Sequence, residues 1–186
     1  LNVKPGITWT NGDELIADHI VYNFNEWLNP DVGSSILGLW DGFLDPSGIE
    51  VVDQYTLRLN LQAPKLDVPE TLYHHPALIM HPSFNGDITT GQNPSTGPYL
   101  LESYRVGENA RIVARTDGGY WQVGVDDAPL PYLDAIEYIS LGDEQVAYVA
   151  ALQAGEIDTI MQPTVETWEA LRDNVNVAIY SVDTGQ

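Results

Sequence analysis

The chain shows a helical pattern of apolar residues near its start. The residues that carry the pattern recur at intervals of one, three and four positions: Ile20, Val21, Phe24 and Leu28. Such spacing lines one face of an α-helix and predicts an amphipathic helix over residues 17–28. Asn29 and Pro30 should end this helix, because a proline forces the residue before it out of the helical conformation.

A strand pattern follows a loop-rich segment, residues 31–48, that contains an apolar patch at residues 36–40. The apolar members of a strict alternation with polar residues are Tyr55, Leu57, Leu59 and Leu61. A period of two residues predicts a half-buried strand with one face in water. Residues 49–52 precede it across a short turn, so the two segments should form a hairpin.

The rest of the first half is less regular. Residues 66–73 predict a short helix and residues 77–80 a short strand. Residues 82–98 are rich in Gly, Pro, Asn, Ser and Thr, which are the residues of turns, and they predict a long loop.

Beyond about residue 93 the pattern changes to short apolar runs separated by turns. We predict a hairpin from residues 99–104 and 110–115, a loop at 117–131, strands at 135–140, 157–161 and 175–182, and helices at 144–154 and 165–172. Gly155 should end the first of these helices in a left-handed conformation, which glycine adopts without strain. The order strand, helix, strand, helix, strand implies a βαβ-type layered sheet in this half.

The composition is that of a folded globular chain. Of the 186 residues, 44% are hydrophobic and 18% charged, and no run of about 18 apolar residues occurs, so we expect no membrane insertion by this segment. The first ten residues already have the pattern of folded sequence and not of a signal peptide, so we expect the chain to be a piece of a longer precursor. Cysteine is absent, which excludes disulfides and thiolate metal sites and leaves the compartment open.

The charge is strongly negative. Seven Lys and Arg face 27 Asp and Glu, for a formal net charge of −20. Seven scattered cations cannot form a basic patch, so we expect neither nucleic acid nor an anionic membrane surface as a partner. Two interpretations of the acidic residues stay open at this point: a solvated surface suited to a salty medium, or attraction of cationic ligands.

Signatures of catalysis are missing from the sequence. It contains neither a Gly-x-Ser-x-Gly elbow nor a glycine-rich phosphate loop, and carboxylates are too frequent to single out a catalytic pair. We therefore expect no enzyme, no catalytic residue and no cofactor. His74, His75 and His81 lie within eight positions and admit a transition-metal site as an alternative, but we expect them to have surface or packing roles and predict no metal.

The five tryptophans fall into two groups. Four of them flank predicted elements and should belong to the core: Trp9, Trp27, Trp121 and Trp168. Trp40 lies in a loop between Gly33 and Gly42, and aromatic residues on loops often line solute pockets, so core packing and a pocket role both stay open for it.

Four sequence blocks follow one another along the chain. They are Ile7-Thr8-Trp9-Thr10-Asn11-Gly12-Asp13 with the helix after it, Asn93-Pro94-Ser95-Thr96-Gly97-Pro98-Tyr99, Tyr120-Trp121 with Pro131-Tyr132-Leu133-Asp134, and Leu152-Gln153-Ala154-Gly155-Glu156-Ile157-Asp158. In this order they resemble family 5 of the extracytoplasmic solute-binding proteins of ABC importers, the peptide-, nickel- and opine-binding type. The second block is one glycine shorter than the family pattern.

The resemblance implies a fold in which two lobes enclose a cleft. It implies an α/β lobe of the type II periplasmic-binding-protein kind with a mixed sheet, plus an α+β subdomain. Residues 1–92 would be the accessory subdomain of lobe one and residues 93–186 its sheet domain, ending near the hinge to a second lobe that this chain does not include.

The resemblance also implies a function without covalent chemistry. The protein would capture a peptide or similar small solute between its lobes and deliver it to ABC permease subunits, as a monomer in the periplasm or at the cell surface, where a lipid anchor is an option. A ligand-sensing ectodomain coupled to a signalling partner is the alternative. From this half of the cleft, the residues expected to contact the ligand are Ser34, Ser35, Ile36, Trp40, Gln162 and Pro163.

Overall fold

The computed structural model describes residues 1–90 and 93–180 of the chain. These residues group into two compact units: Leu1–Tyr104 together with Ala110–Glu137, and Arg105–Asn109 together with the residues from Tyr138 onward. The boundary at residue 92 that the resemblance implied lies outside the described residues, so the division into 1–92 and 93–186 stays a prediction. No helix in the described part of the chain is long and apolar enough to span a membrane.

The first unit is built on helix α1, Ala17–Leu28, which has the predicted bounds. Phe24, Trp27 and Leu28 are buried on one face of it, as the apolar spacing required. The buried members of the core cluster around this helix are Ala17, Phe24, Trp27, Leu28, Ile36, Trp40, Leu44 and Leu57. A short helix α2, Leu37–Trp40, and a helix α3, Val68–Tyr73, complete the helical part of the unit.

The predicted hairpin is present beside α1. Strands β1, Ile49–Asp53, and β2, Thr56–Leu59, pair antiparallel, with Val51 opposite Leu57. The first residues of the chain bind along β2, because the Leu57 amide donates to the Leu1 carbonyl at 3.0 Å and the Val3 amide donates to the Tyr55 carbonyl at 2.7 Å. The N-terminal segment is thereby fixed to the hairpin.

The strand predicted at residues 77–80 is wrong. Residues His75–Ala77 form a 3-10 turn instead. The backbone of Met80, at the end of the segment, is hydrogen-bonded to a side chain and not to a neighbouring strand. The fully buried Asn23 of α1 donates to the Met80 carbonyl at 2.7 Å and accepts from the Met80 amide at 2.7 Å. An amide side chain offers the same donor and acceptor as a peptide group. Asn23 therefore pairs with both backbone groups of Met80, and no strand-to-strand hydrogen bonds are needed there.

A second sheet contains three strands in the order β3-β4-β5: Tyr99–Arg105, Asn109–Ala114 and Ala135–Ile139. The first two form the predicted hairpin, whose turn contains Gly107 at a φ of 74°. The amide of Ala114 donates to Asp134 and the amide of Ser140 to Glu108, both at 2.8 Å, so β4 and β5 are antiparallel.

The second unit contains helices α4, Gln145–Ala154, and α5, Val165–Leu171, close to their predicted bounds. Gly155 ends α4 at a φ of 73° and a ψ of 23°, which confirms the left-handed cap. Thr164 caps α5 through its side chain, and the Thr167 hydroxyl donates to Gln145 on α4 at 2.8 Å.

The βαβ layering predicted for this half is wrong within the described residues. Neither residues 157–161 nor residues 175–180 form a strand, and residues 181 and 182 of the last predicted strand lie outside the described range. An apolar run becomes a strand only where a neighbour accepts and donates its backbone hydrogen bonds. The apolar pattern of these two segments does not by itself supply such a neighbour.

Candidate functional site

The first predicted contact segment is the turn that leads into α2. The Ser34 hydroxyl accepts from the Ile36 amide at 3.3 Å, and the Ser34 carbonyl accepts from the Leu37 amide at 3.1 Å. This is the local pattern by which serine starts a turn or helix. Ser34 is half-buried and Ser35 is exposed, so both hydroxyl-bearing residues are accessible to a solute.

Ile36 and Trp40 lie on the other side of this turn, in the core. Both are 0% exposed, and the Trp40 ring packs edge-on against Phe24 with 5.4 Å between ring centroids. Lys65 covers the tryptophan from outside, with its Nζ 5.7 Å from the Trp40 centroid and 3.1 Å from Asp67. The structure gives both side chains a packing role, and their contact with a solute stays a prediction.

The second predicted contact segment lies between α4 and α5. Gln162 is exposed and has a φ of 58°, a left-handed conformation that is uncommon outside glycine. Strained backbone of this kind persists where the surrounding structure holds it, and it occurs often at ligand sites. Pro163 follows and lies on the wall of a groove of about 450 Å³ in the second unit.

The groove is lined by polar and apolar groups in similar proportion. Its lining residues come from α4, α5 and the two extended segments beside them: Leu152, Gln153, Asp158, Thr159, Ile160, Pro163, Thr167, Trp168, Leu171, Asn174, Asn176, Val177, Ala178, Ile179 and Tyr180. Asp158 is the only carboxylate among them, and the two asparagines supply amide donors and acceptors. Such a lining suits apolar and amide groups of a small molecule.

An ion pair between a buried arginine and a half-exposed aspartate fixes the loop after β4 in the first unit. The guanidinium of Arg115, whose side chain is 1% exposed, donates to both carboxylate oxygens of Asp117 at 2.8 and 2.7 Å and to the Thr8 carbonyl at 3.2 Å. Asp117 also accepts from the Gly119 amide at 3.0 Å. The bonds from Arg115 and Gly119 lower the pKa of Asp117 from 3.8 to about 2.

The tryptophans divide differently from the prediction. Trp9 and Trp27 are buried, as expected. Trp121 and Trp168 are 42% and 45% exposed, so the core role predicted for them is wrong. Each has a cation on its ring face instead, Lys4 at 4.5 Å from the Trp121 centroid and Arg172 at 5.1 Å from that of Trp168.

The histidines form two separate pairs. His74 and His75 are exposed, with ring centroids 4.9 Å apart. His81 is buried against Trp9 and against His19, a residue that the sequence analysis did not single out as a site residue. The sequence did offer a signal for His19: it lies four positions before Asn23 on α1, and residues four positions apart share a helix face. Across the described residues, no group of three or more His, Cys, Asp or Glu is placed to hold a metal ion.

Comparison with known proteins places this geometry in a family. The family model described as bacterial extracellular solute-binding proteins, family 5 Middle, matches residues 1–186. A probable ABC transporter-binding protein of Deinococcus radiodurans is 26% identical over 85% of this chain and 29% of its own length. A probable peptide ABC transporter periplasmic-binding protein of Sinorhizobium fredii is 24% identical over 97% of this chain and 35% of its own length.

A solved structure shows the same fold. The periplasmic binding protein DppA of Helicobacter pylori, in complex with the peptide STSA, superposes with a TM-score of 0.75 over 94% of this chain and 37% of its own length, at 18% identity. The α/β periplasmic-binding-protein fold class predicted from the sequence is thereby confirmed. This chain spans about a third of the length of each of these proteins. The sequence resemblance is confirmed as well, and the chain belongs to family 5 of the bacterial extracellular solute-binding proteins.

Proposed function

We propose that this chain is part of the solute-capturing component of an ABC importer and that its solute is a peptide or a similar small molecule. The observation that carries the proposal is the match of the family model to every residue from 1 to 186. The names of the two curated relatives, both probable ABC transporter-binding proteins and one of them a peptide-binding protein, support the transport role and the solute class.

The mechanism is capture by closure. A solute enters between two lobes, and contacts from both sides favour the closed over the open population. Ser34 and Ser35 offer hydroxyl and backbone groups at one accessible turn, while Ile36 and Trp40 anchor that turn in the core. Gln162 and Pro163 are proposed as further solute contacts, and Gln162 is exposed. Hydroxyl, amide and backbone groups suit the main chain of a peptide.

Delivery follows from closure, since a permease that recognises the closed form receives only loaded protein. We propose that the partner is an ABC permease and that the protein acts as a monomer on the outer side of the cytoplasmic membrane, where a lipid anchor would keep it near the permease. The family description as extracellular and the periplasmic relative support this location.

Native mass spectrometry of the protein in its full length, purified without refolding, tests the proposal. We expect a bound solute that dissociates on activation and that is identified after denaturation. Ser35→Trp and Gln162→Trp should each lower the bound fraction at least tenfold by filling the site. Ser103→Trp, at an exposed position on β3, is the matched control and should keep the solute. Absence of any bound solute, together with no binding of added peptides, would contradict the proposal.

A further inference from the structure

Three aromatic rings meet in the first unit and are here called the imidazole cluster: Trp9, His19 and His81. The ring centroids are 5.0 Å apart for Trp9 and His81, 5.7 Å for Trp9 and His19, and 5.1 Å for the two histidines. Each ring comes from a different part of the chain, namely the N-terminal segment, the first turn of α1 and the segment after residue 80. The cluster therefore joins the start of the chain and α1 to a segment about 60 positions further along.

The hydrogen bond inside the cluster fixes the protonation state of His19. The Trp9 indole Nε1 donates to His19 Nδ1 at 2.9 Å. An indole nitrogen donates only, so Nδ1 must present its lone pair, and the ring is neutral with its proton on Nε2. Trp9 is 0% exposed, so water cannot replace this acceptor if it is lost.

The Nδ1 atom of His81 is a hydrogen-bond acceptor as well. The Ser83 backbone amide donates to it at 3.1 Å, and the Ser83 hydroxyl lies 2.7 Å away. A backbone amide also donates only, so Nδ1 of His81 is an acceptor and its proton is on Nε2. That Nε2 lies 3.1 Å from an Asp13 carboxylate oxygen, but off the direction of a hydrogen bond.

The charged groups around His19 have opposing effects. Burial lowers the pKa of His19 most, and His81 lowers it further, while the carboxylates of Asp13 on the N-terminal segment and Asp18 on α1 oppose this. The side chain of Asp13 is 58% exposed, so solvent screens its attraction for a proton on the ring. The net direction is a lowered pKa, which agrees with the neutral ring that the hydrogen bond from Trp9 requires.

We propose that the imidazole cluster is an acid-sensitive contact that releases Trp9 from α1 when His19 takes up a proton. A proton on Nδ1 would face the Trp9 N–H, so two donors would meet and the buried hydrogen bond would be lost. The segment that carries Trp9 also exchanges hydrogen bonds with Ser95, from Thr10 N to Ser95 O at 2.9 Å and from Ser95 N to Thr10 Oγ1 at 3.1 Å. Release of Trp9 would therefore also disturb the hydrogen bonds to Ser95, in the loop before β3.

Histidine ring NMR tests the contact directly. In protein labelled with 15N-histidine, long-range proton–nitrogen spectra report the tautomer of each ring and its titration. We expect the Nε2–H tautomer for His19 at pH 7, a titration midpoint below the ordinary value of about 6.5, and loss of the slowly exchanging Trp9 indole proton over the same pH range. An Nδ1–H tautomer, or an indole proton that stays protected while His19 titrates, would overturn the proposal.

Unfolding measured against pH gives a second, independent test. The folded-state pKa is lowered, so the unfolded chain binds more protons and stability falls as pH drops below about 6.5, with the unfolding constant rising up to tenfold per pH unit. His19→Asn keeps an acceptor at the place of Nδ1 but cannot titrate, so this rise should vanish between pH 6.5 and 5. His74→Asn, at an exposed histidine, should keep it. Equal slopes for the two variants would overturn the proposal.

Discussion

Asp117→Asn should destabilise the first unit, because it removes the charge that balances a buried guanidinium. Arg115 is 1% exposed, and its Nε and Nη2 both donate to Asp117. Asparagine has nearly the same shape, so the substitution leaves packing in place. It keeps one acceptor oxygen and replaces the other with a donor that faces the guanidinium.

Two considerations give the expected loss of unfolding free energy. The fall of the Asp117 pKa from 3.8 to about 2 corresponds to about 2.5 kcal/mol, but the carboxylate is 47% exposed, so screening leaves about 1 kcal/mol. Removing one partner of a fully buried pair costs about 3 to 5 kcal/mol. Arg115 keeps its bond to the Thr8 carbonyl and one asparagine oxygen, so the loss should lie between these values, at about 2 kcal/mol.

Urea unfolding at pH 7 measures this loss, with Asp126→Asn as the matched control. Asp126 also has a lowered pKa, but its partners are the Tyr132 hydroxyl and the Ala128 amide and not a buried cation, so its loss should be clearly smaller. The Asp117 contribution is complete above about pH 4 and disappears as pH falls towards 2, so the difference from the wild type should shrink over that range. Equal losses for the two variants, or a loss independent of pH, would refute the reasoning.

Three further predictions concern stability. Asn23→Ala should lower the free energy of unfolding by about 2 to 4 kcal/mol, because the Met80 amide and carbonyl lose their buried partner. Chemical denaturation measures this loss, and a value below about 0.5 kcal/mol would contradict the prediction. Gly155→Ala should cost about 1 kcal/mol from left-handed strain alone, since no atom lies within 4 Å of the added Cβ, while Gly38→Ala in α2 should cost nothing; equal melting temperatures would contradict this. With a net charge of −20, the melting temperature should rise between about 20 mM and 1 M NaCl, and a flat profile would show that charge repulsion does not limit stability.

The sequence predicted those elements whose determining residues all lie within the element itself. The alternation from Tyr55 to Leu61 identified the hairpin, and the position of Gly155 after an apolar helix identified its left-handed cap. In these cases the determining interactions are local, between residues a few positions apart or across a two-residue turn.

The errors arose where the partner of a residue is distant in sequence. Met80 is bound by the side chain of Asn23, 57 positions away, and no periodicity signals that contact. Trp121 is a large aromatic residue of the kind that fills cores, but it lies at the surface with Lys4, from the start of the chain, on its ring face. Within the candidate site, the sequence left core packing and a pocket role open for Trp40, and the fold buries it against Phe24, which lies 16 positions away.

Calorimetry with a mixed peptide library, on this 186-residue chain and on the protein in its full length, tests the central claim most directly. A cleft binder takes contacts from both lobes, so the full-length protein should bind with micromolar affinity, about −8 kcal/mol, while this chain alone should retain about half of that, near millimolar. Equal affinities would place the whole site within residues 1–186 and contradict capture between two lobes.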